Sequence, residues 1–509
     1  MKSKILFTTL FVLIATNTFS QNIFQKVTGI GYPGNAYSFC ISSDSSFVTA
    51  SAGSLVKTDT AGNILWAKKY LAPGMYNKSK VISLSNGGYI MLVSMSSDGF
   101  GSGDILFFNM DSEGLIKWIK YFGTAYTDIP EDVVELPNGD FVITGQTNSF
   151  GYPDKEVLLM RISKYGDQYW QRSYGTSSDY DIAHKLLYSA FGGFILSGEM
   201  SSKKNITRTD DHGTVKWCSS YGWGSLFDLS ENPLNGDIYA CGVITDDLRG
   251  GTNIFVMRAD SSGNVIWSKK MGDNNNEIAY SICCDPAFSR LYVAGGCQVD
   301  SISAADAFVA CLSAADGSIQ WAKRYGSQQN DIFYDNAVYN DNSLVNVGNS
   351  ECCDTAYQNI FMVKTMLDGT SGCNEYDFLP VIDSNLAIIP EEALINTDTG
   401  DLWVTSICFP PHLISHQQLT LCSTESIAEV HNSALEIYPN PAANHFNIVY
   451  ELKGGETIDI FNETGEKVDF IYTSHGQTIT VDSDKLPGGI YLLRISDNKT
   501  QFIRKFILD

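Results

Sequence analysis

Seven acidic or amide residues recur along the chain just after a glycine and before a predicted strand, and their side chains could bind a cation. They are Asn35, Asn77, Asp128, Asp181, Asp228, Glu277 and Asp331. If the segments that carry them close into a ring, these residues would surround one mouth of a central channel, where focused negative potential attracts positive groups. Calcium or a basic ligand would suit such a site. The alternative is that Asp and Asn only form turns before a strand.

A second set of residues has the side-chain types of a zinc site. Cys408, His412, His416 and Cys422 follow one another at short intervals, and sulfur and imidazole ligands suit zinc. Two prolines precede the histidines, however, and an exported protein meets an oxidising compartment in which cysteines form disulfides. The twelve cysteines of the chain do not reveal their pairing. We expect no metal ion here and consider a disulfide within the segment.

Catalytic signatures are missing from the sequence. It contains no G-x-S-x-G, H-E-x-x-H, P-loop or dinucleotide-binding pattern, and its acidic pairs are too numerous to select a glycosidase dyad. The 34 Lys and Arg residues against 57 Asp and Glu residues give a net charge of −23, which disfavours nucleic acid or an anionic membrane surface as a partner. Whether the chain is an enzyme stays open at this level, and we expect a binding protein.

The elements that would position these residues repeat at intervals of about 51 residues. Six tryptophans mark the repeat: Trp66, Trp118, Trp170, Trp217, Trp267 and Trp321. Each lies four residues after a glycine, and in five of the six units another glycine follows five residues after the tryptophan. Each unit also contains four strand-like runs separated by turns. Four strands per repeat of this length predict blades of a β-propeller.

The count of blades comes to seven. A seventh turn occurs at Leu367–Gly369, but Cys373 stands where the other units have tryptophan. Phe24 precedes Gly29 by five residues, as tryptophan precedes glycine elsewhere. We therefore expect the N-terminal segment to supply the outer strand of the seventh blade, beside Phe361–Lys364. This closure would remove the exposed sheet edges.

The repeated tryptophans have two interpretations. They could stack on carbohydrate, or they could pack as wedges between blades, and their recurrence at one register favours the wedge. The pattern D-x-x-G-x-x-x-W resembles the tryptophan-docking motif of quinoprotein-type propellers. That resemblance would imply a quinone cofactor beside adjacent cysteines, of which the chain has two pairs, Cys283–Cys284 and Cys352–Cys353. Calcium ligands and a base are not apparent around them, so we expect no quinone cofactor.

The first twenty residues have the features of a secretory signal peptide. Lys2 and Lys4 precede an apolar run, Ile5–Ile14, and cleavage is expected before Gln21. The apolar run is too short to span about 30 Å of hydrocarbon. The sequence therefore predicts export and no transmembrane segment.

The last 76 residues contain short alternating strands that predict a small immunoglobulin-like β-sandwich. Here the sequence resembles the type A C-terminal sorting domains of the type IX secretion system of Bacteroidota. The residues that carry the resemblance include Tyr438, Pro439, Asn440, Pro441, Gly489, Tyr491 and Lys505. The resemblance implies that the secretion machinery is a partner, and that the domain is removed before release or attachment to the cell surface.

The sequence thus predicts an all-β chain: a signal peptide (1–20), a seven-bladed β-propeller of four-stranded blades (21–372), an extended cysteine-containing linker (373–433) and the sorting domain (434–509). We expect a secreted or cell-surface binding or scaffold protein with an unknown extracellular ligand, a glycan or a protein. The alternatives are a polysaccharide hydrolase or lyase, a quinoprotein-type dehydrogenase and a structural surface component. Variable loops should carry specificity: Ser96–Asp104, Thr147–Glu156, Thr245–Asn253, Gln298–Ala307 and Ser350–Gln358.

Overall fold

The structure is a computed structural model. It describes residues 23–30, 35–51, 53–70, 76–95, 103–149, 155–176, 180–245, 251–272, 275–298, 304–352, 359–378, 380, 382–383, 388, 390–392, 396–398, 403–406, 412–413, 417–423, 436–438, 445–449, 457–462, 467–468, 470–475, 478–482, 486–496 and 501–508. The predicted signal peptide and most of the variable loops lie outside these residues. Two compact units divide the chain, Met1–Thr424 and Glu425–Asp509.

The first unit is built from β-strands, and its first 28 are β1 (Phe24–Gly29), β2 (Ser38–Ile41), β3 (Phe47–Ser51), β4 (Ser54–Thr58), β5 (Ile64–Lys69), β6 (Tyr76–Ser83), β7 (Tyr89–Met95), β8 (Asp104–Met110), β9 (Ile116–Gly123), β10 (Asp128–Glu135), β11 (Phe141–Thr147), β12 (Glu156–Ile162), β13 (Gln168–Gly175), β14 (Asp181–Tyr188), β15 (Phe194–Met200), β16 (Lys203–Thr209), β17 (Val215–Trp223), β18 (Ser225–Glu231), β19 (Ile238–Thr245), β20 (Thr252–Ala259), β21 (Val265–Met271), β22 (Glu277–Cys284), β23 (Arg290–Gln298), β24 (Ala305–Ser313), β25 (Ile319–Tyr325), β26 (Asp331–Tyr339), β27 (Ser343–Ser350) and β28 (Asn359–Met366).

These strands form antiparallel sheets of four consecutive strands, which we number in chain order: sheet 1 (β2–β5), sheet 2 (β6–β9), sheet 3 (β10–β13), sheet 4 (β14–β17), sheet 5 (β18–β21), sheet 6 (β22–β25) and sheet 7 (β26–β28 with β1). The first strand of each sheet contacts the first strand of the next, and β26 of sheet 7 contacts β2 of sheet 1. Apolar clusters lie between neighbouring sheets, for example Phe107 and Ile105 of sheet 2 with Ile143 and Leu158 of sheet 3. The fold is therefore all-β and β-propeller-like, with the innermost strands around a central channel.

Sheet 7 joins the two ends of this ring. Its outer strand β1 pairs with β28, where Phe24 lies opposite Lys364 and Val27 lies opposite Phe361. The interval between Phe24 and Gly29 in the sequence predicts this position of the N-terminal segment beside Phe361–Lys364. Because strands from both ends of residues 24–366 share one sheet, the ring can open only if these backbone hydrogen bonds break.

A fifth strand is added to every sheet by residues 375–423, which we call the belt. Its strands are β29 (Glu375–Asp377), β30 (Ile382–Asp383), β31 (Glu391–Glu392), β32 (Asn396–Asp398), β33 (Trp403–Ser406), β34 (His412–Leu413) and β35 (Gln417–Ser423). They pair in order with the outer strands of sheets 6, 5, 4, 3, 2, 1 and 7. The segment expected as an extended linker is thus wound around the ring and covers part of each outer sheet edge.

The repeated tryptophans pack between neighbouring sheets. A Cβ atom built on Gly263 would lie 3.0 Å from the Trp217 ring, and one on Gly114 would lie 3.0 Å from the Trp66 ring. Phe24 takes the tryptophan's place against Gly62, at 2.6 Å. Only glycine leaves room for the ring, and the positive φ of these turns (77° at Gly62) also favours glycine. The aromatic ring of one sheet therefore locks against the turn of the next.

The second unit contains β36 (Glu436–Tyr438), β37 (His445–Val449), β38 (Thr457–Phe461), β39 (Lys467–Val468), β40 (Ile471–His475), β41 (Thr478–Asp482), β42 (Gly489–Ser496) and β43 (Gln501–Leu508). They form two four-stranded sheets, ordered β36–β37–β41–β40 and β39–β38–β42–β43. Phe446 and Val481 of the first sheet share one apolar core with Leu493 and Phe506 of the second. The two sheets therefore pack face to face.

Candidate functional site

A β-bulge interrupts the innermost strands of sheets 2 to 7. In β10 the register with β11 shifts between Pro130 and Asp132, so that Glu131 is the extra residue. A bulge lets two consecutive side chains turn towards the same side of a strand, which an undisturbed strand does not allow. The residues within the shifts that face the channel are Lys78, Glu131, His184, Phe227, Tyr280 and Tyr334. Each sheet thereby offers the channel an additional side chain.

These six side chains and Tyr37 of sheet 1 form a continuous circle of contacts, which we call the upper ring. One part is an aromatic arc with centroid distances of 4.8 Å for Tyr37–Tyr334, 4.9 Å for Tyr334–Tyr280 and 5.2 Å for Tyr280–Phe227. Phe227 then contacts His184 at 5.0 Å. Tilted rings at these distances attract one another.

The remainder of the upper ring is polar. His184 Nδ1 lies 3.5 Å from Glu131 Oε2, and Glu131 forms an ion pair with Lys78. Lys78 Nζ lies 5.9 Å from the centroid of Tyr37, and this contact closes the circle with the aromatic arc. Each of the seven sheets contributes one member, and every member contacts the next.

A layer of alternating charges lies next to the upper ring. Lys80 Nζ is 3.5 Å from Asp132 and 3.9 Å from Asp335. Lys185 Nζ is 3.0 Å from Asp228 and 4.0 Å from Asp132. We call these five residues the charged layer. Its three carboxylates and two ammonium groups leave a formal charge of −1.

The carboxylates of the charged layer also hold the sheets together. Asp132 accepts a hydrogen bond from the backbone N–H of Leu186 at 3.1 Å, and Asp228 accepts one from Ile282 at 2.9 Å. In each case the donor belongs to the innermost strand of the following sheet. The layer therefore links neighbouring sheets and also forms a surface of the channel.

Opposite charges act against the effect of burial at Glu131 and Lys185. Burial alone would raise the pKa of Glu131, but the charge of Lys78 and the hydrogen bond with His184 bring it down to about 2. Burial would lower the pKa of Lys185, but Asp228, Asp132 and Asp335 raise it well above its usual range. Burial raises the pKa of the Tyr280 hydroxyl, which stays protonated and can donate a hydrogen bond.

A cavity of about 230 Å³ is enclosed by the upper ring and the charged layer. Its lining contains three lysines and three carboxylates: Lys78, Lys80, Lys185, Glu131, Asp228 and Asp335. A wider space of about 750 Å³ shares Lys185, Asp228 and Asp335 with the cavity and extends along the other ends of the innermost strands. The charged layer thus separates two spaces, and the smaller one offers aromatic faces beside donors and acceptors of balanced charge.

The structure places most of the acidic residues expected at the channel mouth elsewhere. Asp128 and Asp181 are fully buried. Asp128 accepts hydrogen bonds from the backbone N–H of Thr124 at 3.0 Å and from Thr147 Oγ1 at 2.6 Å. Asp181 accepts from the backbone N–H of Thr176 at 2.6 Å. These carboxylates bind the start of an innermost strand to nearby loops, which is the turn-forming alternative.

The repeated glycines explain the position of these carboxylates. A Cβ atom on Gly326 would lie 2.3 Å from Asp331 Oδ2, and one on Gly272 would lie 2.5 Å from Glu277 Oε2. The glycine therefore leaves the space that the buried carboxylate occupies. Asp228 alone of the five acids lines the cavity, because β18 begins three residues earlier, at Ser225.

Most of the remaining residues predicted for the channel mouth and for the zinc site have side chains outside the described residues. Asn35 donates a hydrogen bond to the Tyr37 hydroxyl, and the side chain of Asn77 lies outside the described residues. So do Cys408, His416 and the side chains of His412 and Cys422. Within the described residues, no group of three or more His, Cys, Asp or Glu side chains has an arrangement that could hold a metal ion.

The cysteines of the described residues fall into two classes. Cys352 and Cys373 are disulfide-bonded, whereas Cys283 and Cys284 are free and line the wider space. Burial raises the pKa of both of these thiols, which suppresses the reactive thiolate. The environment of Cys283–Cys284 therefore does not favour thiol chemistry.

Sequence reasoning missed the upper ring, although a signal for it exists. Four innermost strands begin with the same pattern of five residues. It consists of an acid, an isoleucine, one variable residue and then two consecutive residues that face the channel. The four segments are Asp128–Asp132, Asp181–Lys185, Glu277–Ser281 and Asp331–Asp335. The last two positions of each segment, rather than the first, supply the site.

Comparison with known proteins identifies the C-terminal unit. Residues 436–509 match the family described as the secretion system C-terminal sorting domain. This match supports the chain as cargo of a type IX secretion system, with the secretion machinery as a partner and an extracellular or cell-surface location. Tyr491 of the sorting motif is buried and donates a hydrogen bond to the Pro487 carbonyl at 2.7 Å, whereas Tyr438 is half exposed. Pro439, Asn440, Pro441 and the side chain of Lys505 lie outside the described residues.

Several solved structures resemble the chain weakly. The Neurospora crassa Pan2 WD40 domain shares 11% identity over 67% of this chain and 91% of its own, with a TM-score of 0.42. The surface component PorZ of the type IX secretion system of Porphyromonas gingivalis shares 9% identity over 93% of this chain and 81% of its own, with a TM-score of 0.27. The polysaccharide lyase Uly1 shares 10% identity over 63% of this chain and 85% of its own, with a TM-score of 0.38. No curated protein matches the sequence.

Over the residues that the structure describes, there is no helix long and apolar enough to cross a membrane.

Proposed function

We propose that this chain is a secreted or surface-attached binding protein whose seven-bladed propeller holds one sugar residue of an extracellular glycan in the channel cavity. The sorting domain, which we take to be an immunoglobulin-like sandwich, delivers the propeller across the outer membrane. The repeated tryptophans act as wedges between blades and take no part in binding. The ligand instead meets the upper ring and the charged layer.

The upper ring is the observation that carries this proposal. Tyr37, Tyr280 and Tyr334 line one side of the cavity with their aromatic side chains. Lys78 and Glu131 present a donor and an acceptor on the other side. A sugar has weakly polar C–H faces together with a rim of hydroxyl groups, so it can use both sides at once.

The size and charge of the cavity narrow the class of ligand. Ligand pockets commonly measure about 300–1,000 Å³, so a cavity of about 230 Å³ suits a single sugar rather than a drug-sized molecule. The lysines balance the carboxylates in the lining, which disfavours a strongly charged ligand. Calcium fits poorly because it needs six to eight oxygen ligands, whereas Asp228 is engaged by Lys185, Ser281 and Ile282.

Calorimetric titration tests this function directly. The chain is titrated with glucose, galactose, mannose, xylose, N-acetylglucosamine and their homo-hexasaccharides. We expect at least one of these probes to bind, and Tyr280→Ala to weaken it at least tenfold, since the substitution removes one ring of the aromatic arc. Tyr165→Ala serves as the matched control, because Tyr165 is 66% exposed in the turn between β12 and β13. Equal affinities of Tyr280→Ala and Tyr165→Ala would contradict the cavity as the site.

A second candidate function is a polysaccharide lyase, because the cavity brings together the groups that such a reaction needs. In β-elimination a base removes the proton from the carbon that bears the carboxylate of a uronic acid. The bond from the neighbouring carbon to the glycosidic oxygen breaks, and an acid protonates that oxygen. His184 could be the base, Tyr280 the acid and Lys80 the partner of the substrate carboxylate. The test follows the ultraviolet absorbance of the unsaturated product from alginate and polygalacturonate. Absorbance that develops with the wild type and not with His184→Ala would support catalysis.

A further inference from the structure

We propose that the sugar in the cavity belongs to a longer glycan chain, and that Tyr126, Tyr180 and Trp223 bind its next residues outside the channel. We call these three side chains the aromatic row. The inference rests on the proposed function and adds the substrate class, an extended polysaccharide rather than a free monosaccharide.

The aromatic row lies just before the innermost strands of three successive sheets. Its members precede the first residues of β10, β14 and β18 by one or two positions. Their exposed fractions are 58% for Tyr126, 41% for Tyr180 and 58% for Trp223. They therefore occupy the face at which the innermost strands begin.

The same three sheets contribute Glu131, His184 and Phe227 to the upper ring. The aromatic row thus lies along the sector of the channel that contains His184. Burial raises the pKa of the Tyr180 hydroxyl, and the nearby charges of Glu131 and Glu199 raise it further. Tyr180 is therefore close enough to Glu131 to feel its charge. A chain that leaves the cavity in this sector would meet the row next.

In sheets 6 and 7 an amide side chain stands directly before the innermost strand. In sheet 6, Asn276 accepts a hydrogen bond from the backbone N–H of Thr252 at 3.2 Å. In sheet 7, Asn330 accepts one from Ala305 at 3.0 Å. Amides therefore fasten these loops, whereas Tyr126, Tyr180 and Trp223 are exposed just before the innermost strands of sheets 3 to 5. Exposed aromatic groups just before three successive innermost strands offer rings on which a ligand can pack.

The chemistry of the row suits a glycan. Planar aromatic faces bind the C–H faces of successive pyranose rings without a fixed pattern of hydrogen bonds. Lys155 Nζ lies 4.9 Å from the Tyr180 centroid and can donate a hydrogen bond to a sugar hydroxyl or to a uronate carboxylate. The occupant we assign is therefore one polysaccharide chain that spans the row and ends, or branches, in the cavity.

Titration with matched monosaccharides and hexasaccharides tests the inference on the full chain. The probes are glucose with cellohexaose and laminarihexaose, xylose with xylohexaose, and N-acetylglucosamine with chitohexaose. We expect a hexasaccharide to bind at least tenfold more tightly than its monosaccharide. Trp223→Ala and Tyr126→Ala should each weaken the hexasaccharide about three- to tenfold and leave the monosaccharide unchanged. Tyr165→Ala should change neither affinity.

The outcomes separate this inference from the proposed function. Equal affinities of wild type and the triple variant of Tyr126, Tyr180 and Trp223 for the hexasaccharide would overturn the aromatic row, while loss of binding in Tyr280→Ala would still support the cavity. If none of the probes binds, both proposals fail. A partner protein that binds the row in place of sugar would likewise contradict the assignment.

Discussion

Lys185 of sheet 4 extends its Nζ to 3.0 Å from Oδ1 of Asp228 in sheet 5, in the middle of the channel. The same carboxylate accepts hydrogen bonds from Ser281 Oγ and from the backbone N–H of Ile282 in sheet 6, both at 2.9 Å. Asp228 therefore connects three sheets at the level that separates the two spaces of the channel. A group with these partners should affect stability as well as the shape of the cavity.

The first prediction concerns this connection. Asp228→Ala should lower the free energy of unfolding by about 3 kcal/mol, because it leaves the partly buried Lys185 with the more distant Asp132, at 4.0 Å, and removes the acceptor for Ile282. Asp228→Asn should cost less, since its amide oxygen still accepts the backbone hydrogen bond. Denaturant unfolding measures both values. A double variant, Asp228→Asn with Lys185→Met, should recover part of the loss, and a loss below about 0.5 kcal/mol in Asp228→Ala would refute the connection.

The second prediction concerns pH. Burial raises the pKa of Asp181 from its usual value to about 6, although the backbone N–H groups of Thr176 and Ser201 oppose the rise. A raised carboxyl pKa in the folded state favours folding below about pH 4, and this contribution is lost as the pH rises through about 6. Asp181→Asn removes the titration. The melting temperature of the variant relative to wild type should therefore increase from pH 4 to pH 7.

Asp316 offers the control for this experiment. Its pKa is lowered to about 2, chiefly by the hydrogen bonds from Ser318. Its contribution is present above about pH 4 and is lost only as the pH falls towards 2. The difference between Asp316→Asn and wild type should therefore stay constant from pH 4 to pH 7. A constant difference for Asp181→Asn as well would show that Asp181 does not titrate in this range.

The third prediction concerns the belt. A chain that ends at Thr424 keeps every belt strand, whereas a chain that ends at Phe378 loses the fifth strand of six sheets. The shorter chain should melt at least about 5 °C lower, because six outer edges lose their partners. Differential scanning calorimetry on the two chains gives the comparison. Equal melting temperatures would mean that the belt strands do not stabilise the ring.

The fourth prediction concerns a glycine of the repeat. A Cβ atom on Gly123 would lie 1.7 Å from Oδ1 of Asp104, which is buried. Gly123→Ala must displace this carboxylate and should lower the free energy of unfolding by about 1–3 kcal/mol. The combination with Asp104→Ala, which removes the clashing atoms, is the matched test. If the combined loss equals the sum of the two single losses, the two residues do not interact in this way.

Much of the fold can be predicted from the sequence because the residues that pack neighbouring sheets together recur in the repeats. The interval between Trp217 and Gly222 recurs in four other units and predicts the period of the sheets. The structure then shows that Trp217 fits against Gly263 of the next sheet. The belt escaped prediction because its strands, such as Ile382–Asp383, are mostly too short for a hydrophobic period. Pairing of such strands depends on the exposed edge of the ring, which exists only in three dimensions.

The site was harder to predict, for a local reason. An uninterrupted strand would direct Asp128, Pro130 and Asp132 to one side and Glu131 to the other. The bulge between Pro130 and Asp132 changes this parity and brings Glu131 beside Asp132 in the channel. Because one inserted residue reverses the faces of a strand, neither alternation nor the place of Asp128 after a glycine indicates that Glu131 and Asp132 share the channel, and Asp128 itself is buried.

A crystal structure of the chain soaked with the tightest-binding sugar tests the central claim most directly. We predict difference density for one sugar ring inside the cavity, in contact with Tyr280 and Tyr334 and within hydrogen-bond distance of Lys78 or Glu131. Density for the sugar only at another surface, with the cavity filled by water alone, would contradict the channel as the binding site.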